Sequence, residues 1–126
     1  MQKFAMLVFD ETIYTTTATY TPARFNEILA SADRLVVHAV ADETGGTSPT
    51  LLVQIEHSGD GRNFGNKSSG GAEIPATSIP ALATTSLIGS DSSSIPTLPF
   101  ARLRVQLGGS GSLVGHVKIY VCGRDW

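Results

Sequence analysis

The residues with which this chain could do chemistry are three histidines, one cysteine and a few glycine-rich turns. His38, His57 and His116 fall on three separate predicted strands or strand ends, and no Cys or His pair has the spacing that zinc demands. They read as hydrogen-bonded histidines and not as a ligand set. Cys122 has no second cysteine to pair with and no motif around it, so it reads as a small side chain at the edge of the core. Gly108-Gly109-Ser110-Gly111-Ser112 loosely resembles a nucleophile elbow, but its last position is Ser, and it joins two predicted strands instead of leading from strand to helix. Gly59 and Gly61 are followed by Phe64 where a phosphate-cradling loop needs a third glycine. Asp60 and Asn63 offer oxygen donors to calcium, yet the bidentate acid of a calcium loop is missing. Asn66-Lys67-Ser68 matches a glycosylation sequon, which matters only in a secreted protein. Acid, base and nucleophile cannot be placed in a common site, so the expectation is a protein with no catalysis, no cofactor and no metal.

The elements that must position these residues are strands. In 100–107, Ala101, Leu103, Val105 and Leu107 alternate with Arg102, Arg104 and Gln106; in 113–122, Val117, Ile119 and Val121 alternate with His116, Lys118 and Tyr120. Period-two runs of this kind are half-buried strands, and the five small residues between them predict a β-hairpin. Its outward face would carry Arg102, Arg104, His116, Lys118 and Tyr120, a set able to bind single-stranded nucleic acid or sugar. Against nucleic acid, nine basic and eleven acidic residues give a net charge of −2 without runs of either sign, and hence no attracting field.

Earlier in the chain, Lys3 to Phe9 reads as a strand ended by Asp10-Glu11, and Thr12 to Tyr20, rich in β-branched and aromatic residues, as a second. Thr21 to Asp33 is a short helix or crossover, with Thr21 as cap, Pro22 in the first turn, and Phe25, Ile28, Leu29 and Ala32 at helical spacing. Leu35 to Ala41 is a near-continuous apolar run that suggests burial on both faces or a central position, Asp42 to Pro49 a loop, and Leu51, Val53 and Ile55 the inward face of a further strand. Ser58 to Asn63 is a turn. From Ala72 to Pro99 the prolines at 75, 80, 96 and 99 leave room for one short strand around Thr84 to Ile88 within a long Pro/Ser/Thr-rich loop.

These signals give an all-β fold, a single antiparallel β-sandwich domain of jelly-roll type spanning 1–126, with Leu35, Val37, Leu51, Val53, Ile55, Leu103, Val105, Val117, Ile119 and Val121 in its core. At 126 residues such a domain buries roughly two-thirds of its unfolded surface. The apolar opening from Phe4 to Phe9 is only six residues, too short for a membrane span or a signal-peptide core, so synthesis in the cytoplasm is expected. Only 16% of residues are charged, as in proteins partly covered by neighbours or with long neutral loops.

Leu51 to Phe64, with its Ser58-Gly59-Asp60-Gly61-Arg62-Asn63-Phe64 turn, together with Phe100 to Leu107 and the closing Lys118 to Arg124, resembles small virion structural proteins of tailed bacteriophages. Those proteins run a strand into a Ser-x-Asp-Gly-x-x-aromatic turn and close on an Arg-containing strand with a short Gly-Arg tail. Phe64 stands here where Trp is frequent, and the 72–99 segment is longer. The resemblance implies a β-sandwich subunit of a virion with no catalytic residues to carry over. The reading that follows is a capsid decoration or cementing protein. It would bind a major capsid protein or another virion protein as a homo-oligomer, a dimer or trimer, with no membrane partner and no nucleic acid. Ile74, Ile79, Leu82, Leu87, Ile88, Ile95 and Leu98 would act as pegs on a neighbour, with Arg102, Arg104, Lys118, Tyr120 and Trp126 as a second contact surface. The alternative is a tail-associated or carbohydrate- or receptor-binding sandwich, for which Tyr14, Tyr20, Tyr120 and Trp126 are the available aromatics.

Overall fold

The structure is a computed structural model, which describes residues 5–32, 34–67, 71–91 and 97–124. Two strands of 25 residues each dominate it, β3 (Arg34–Ser58) and β7 (Phe100–Arg124). They pair antiparallel along their whole length, from Arg34 opposite Arg124 to Ser58 opposite Phe100. The hairpin expected within 100–122 is therefore not formed. Both of its halves take β3 as partner, and the glycine stretch 108–112 lies within a strand.

What the glycines provide is a bend. The register slips between Asp42 and Thr50 of β3, opposite 108–116 of β7, so the expected loop 42–49 and the expected hairpin turn face each other across one ribbon. Gly46 and Gly109 have φ of 108° and 127°, and a Cβ on either would lie about 3 Å from a carbonyl oxygen of the opposite strand. Only glycine permits both the torsion and the approach.

The bend folds the seven-stranded sheet into two layers. In the first, β1 (Met6–Ile13) pairs with 115–121 of β7, residues 34–42 of β3 pair with 116–124 of β7, and β6 (Thr85–Ser90) closes the far side on β3. In the second, β2 (Thr19–Tyr20) flanks 104–105 of β7, while β4 (Gly65–Asn66) and β5 (Ile74–Ser78) flank the C-terminal half of β3. Alternate residues of both ribbon halves enter one core: Leu35, Val37, Ala39, Leu51, Val53, Ile55, Leu103, Val105, Val117, Ile119 and Val121 are each at most 3% exposed. The result is the antiparallel β-sandwich that the sequence pattern implies.

Several local expectations change. The first strand runs on through Asp10-Glu11 to Ile13, because a bulge between Leu7 and Phe9 turns both Val8 and Phe9 inward. Thr21 caps no helix; its amide and hydroxyl bond to the carbonyl and amide of Leu103, extending β2 along β7. A 3-10 turn (Ala23–Phe25) and α1 (Asn26–Ala30) follow, sealing one side of the core with Leu29 and Ala32. Among its described residues the 72–99 segment holds two strands, β5 as well as the expected one at β6. Pro75 is tolerated because β5 is an edge strand. Leu35 to Ala41 is central but alternates, with Val36 and His38 facing outward.

Candidate functional site

Each layer presents an outer face, and the two differ in chemistry. On the first layer, cross-strand register aligns Leu7, Tyr120, His38 and Ile88 in one row across β1, β7, β3 and β6. Leu7 is 41%, Val36 43% and Ile88 74% exposed, and the His38 and Tyr120 rings stack at 5.9 Å. Val36, Val40 and Cys122 continue the patch around a shallow depression. Toward the bend the rows become charged: Asp10 pairs with Lys118 and Lys118 with Val40, then Thr12 with His116 and His116 with Asp42.

The second layer's outer face is closed over itself. The Arg102 guanidinium lies between the Tyr20 ring at 3.7 Å and the Phe64 ring at 4.1 Å and donates to Glu56 Oε1 at 2.8 Å. Arg104 donates to Gln106 Oε1, and Gln106 in turn to the Thr16 carbonyl. These side chains lie flat enough to leave Gln54 and Glu56 each only 7% exposed on a nominally outward face. Both stacked aromatic faces are thus occupied by a cation of the chain itself. Beside this face, a cleft of about 400 Å³ is lined by Asp10, Glu11, Thr19, Tyr20, Arg24 and Phe25 among others.

Between the layers, at the edge opposite the bend, runs a polar seam. Lys67 and Asp91 form a buried ion pair that ties the residue after β4 to the residue after β6, and Lys67 also donates to Thr97 Oγ1. Glu73 Oε2 accepts the Ile55 amide at 2.7 Å; burial pushes its carboxyl above the usual range, against the pull of that hydrogen bond. His57 Nδ1 accepts the Leu98 amide, and burial, then the nearby Lys67 charge, lower its pKa. In the 58–63 turn, Asp60 accepts from the Asn63 and Arg62 amides, from Ser58 Oγ and from Asn63 Nδ2. The Asn63 and Arg62 amides chiefly hold its carboxyl well below the ordinary value, and the plain-turn reading of this stretch fits.

The expected contact residues scatter. Ile79 is fully buried and Leu87 is half-buried against the core, so Ile79 is a core side chain and neither projects as a peg. Ile74, Leu87 and Ile88 are strand residues of β5 and β6, and Ile74 too is buried in the core. Leu82, at φ 61° and 96% exposed, and Ile88 do project. Ile95 and Trp126 lie outside the described residues. Arg102 and Arg104 stand on one layer, Lys118 and Tyr120 on the other, because the bend divides the strand that carries them; they form no common surface. The histidines do not converge, as expected. Missed altogether was a hydrogen-bonded line of hydroxyl, imidazole and carboxylate: Thr12 Oγ1 to His116 Nδ1 at 2.9 Å, and His116 Nε2 to Asp10 Oδ1 at 2.7 Å. Asp42 and Glu43 bring further carboxylates beside His116. No spacing in the sequence could reveal it, since Thr12 and His116 meet only through the β1–β7 register.

No protein-family model matches the sequence, and no curated protein matches it. Among solved structures, the CBM22-1 xylan-binding domain from Paenibacillus barcinonensis Xyn10C has a similar fold, with a TM-score of 0.54 over 100% of both chains at 7% identity. The likeness is one of fold, a β-sandwich in both.

Proposed function

We propose that the protein is a non-enzymatic structural subunit of a phage-like particle, a decoration or cementing protein that docks on the head lattice as an oligomer through the outer face of its first layer. The observation that carries this reading is the apolar row Leu7, Tyr120, His38 and Ile88, flanked by Val36 and Cys122, on the open face of a four-stranded layer. Contiguous apolar surface of this kind marks protein contact, and covering it gains about 25 cal/mol per Å². Symmetry multiplies a modest contact over many copies, which suits cementing. The resemblance of the 51–64, 100–107 and 118–124 segments to virion proteins supports the same partner class. In the test, the chain and its Val36→Asp/Ile88→Asp variant are expressed in the phage's host, and purified particles are probed for bound subunit. The parent co-purifies and the variant stays free in folded form; equal occupancy by both overturns the reading.

A second reading rests on the cleft at Tyr20: a carbohydrate-binding sandwich, supported by a ring, two carboxylates and a guanidinium in one concavity and by the ligand named for the xylan-binding domain of similar fold. Titration with xylo-oligosaccharides tests it. Binding abolished by Tyr20→Ala, with particle occupancy unchanged by the Val36/Ile88 variant, would select it over the first.

A further inference from the structure

We infer that the outer face of the first layer ends, at the bend, in a binding site for a divalent first-row transition ion, held by Asp42, Glu43 and His116. One ligand atom from each of these side chains lies within 4.8 Å of the other two. Tetrahedral zinc, with bonds to nitrogen and oxygen of about 2.0–2.2 Å, holds its ligand atoms about 3.3–3.6 Å apart, so side-chain rotations must draw the three atoms together onto a single ion. Two of the positions are fixed by the fold. Asp42 and His116 are cross-strand partners in the β3/β7 ladder. Glu43, at φ 51°, is the next residue along, where the ladder slips.

An independent observation points to a cation. Asp42 Oδ1 is shut away from solvent and receives no hydrogen bond. A carboxylate oxygen with neither water nor donor is costly, and a positive ion supplies what its surroundings lack. Both imidazole nitrogens are engaged, Nδ1 with Thr12 Oγ1 and Nε2 with Asp10 Oδ1, so the ion displaces one of these partners while the other goes on fixing the ring. One imidazole with two carboxylates favours zinc or manganese over calcium, which takes six to eight oxygens. Bound there, the ion would join β3 to β7 beside the bend, with Asp10 of β1 against the same imidazole.

The experiment uses the full chain, stripped with chelator and titrated with zinc chloride by calorimetry, with thermal unfolding followed in parallel. The parent takes up one ion per chain, and its melting temperature rises with zinc and falls back with chelator. Asp42→Asn and His116→Ala each weaken binding at least about tenfold and lose the zinc-dependent rise, while their far-ultraviolet circular dichroism matches the parent. If His116→Ala fails to fold, Asp42→Asn carries the test, because it removes charge at an oxygen that no donor touches. A parent that binds no stoichiometric zinc, or an Asp42→Asn variant that binds and is stabilised as the parent is, overturns the inference.

Discussion

Glu73 and His57 face the same seam with opposite consequences for pH. Burial raises the Glu73 carboxyl, so the folded state holds its proton more readily than the unfolded state does. Its contribution therefore favours folding at low pH and is lost as pH rises through the folded value. His57 is depressed, so the folded state binds its proton less readily, and what it contributes is present above the ordinary value of 6.5 and lost as pH falls through the folded one. Replacing Glu73 by Gln keeps an acceptor for the Ile55 amide and removes the charge. The expected outcome is a higher melting temperature than the parent at pH 7 to 8, with the gain shrinking as pH falls toward 4.5, the ordinary value of the group. A parallel series on His57→Gln should show less loss of stability than the parent between pH 7 and 5. Residue by residue, inward positions were legible in the sequence because period two reports burial directly; every core residue named from the pattern is buried. The polar seam was not legible, because Lys67, Glu73 and Asp91 lie in stretches without period and meet only when the two layers close.

At the scale of elements, the pattern identified strands well and their partners poorly. Alternation says that one face is covered, and it reads the same whether the partner is five residues away or far along the chain. The stretch 108–112 has the composition of a hairpin turn, and so has much of 42–49. Each taken alone suggests reversal, and only together do they read as matched kinks in two long strands. The layers approach closely where Gly89 of β6 passes Glu73 and Ile74 at the start of β5. A Cβ built on Gly89 would lie 2.3 Å from the Glu73 carbonyl oxygen and 2.8 Å from Ile74 Cγ1, and a backbone atom cannot give way as a side-chain tip can. Gly89→Ala should thus push β6 from β5 and cost about 1–3 kcal/mol by overpacking, measured by urea denaturation. Gly59→Ala, with open space around the new methyl, gives the comparison, and a Gly89 variant no less stable than that one would mean that the layers are looser than described.

For the whole molecule, the two faces divide the work: one is sealed by Arg102 between its rings, and the other is left apolar and graded toward charge at the bend. Fold class and core followed from sequence, whereas the division did not, because a single strand carries Arg102 to one side of the sandwich and Tyr120 to the other. That same strand sets the order of events at the ribosome. β7 lies between β3 and β1 in one layer and between β3 and β2 in the other, and it is synthesised after every other described strand. Until residues 100–124 emerge, β1 and β2 have no strand to pair with, and the apolar face of β3 lacks its main neighbour. The nascent chain can thus hold the β3 pairings with β4, β5 and β6, but not a closed sandwich. Closure also waits on contacts that span 42 to 90 positions of chain, from Ser58–Phe100 to Arg34–Arg124, the kind of topology that folds in milliseconds to seconds. Closure of the sandwich therefore follows synthesis of residues 100–124, and chains stalled before residue 100 would remain open to protease.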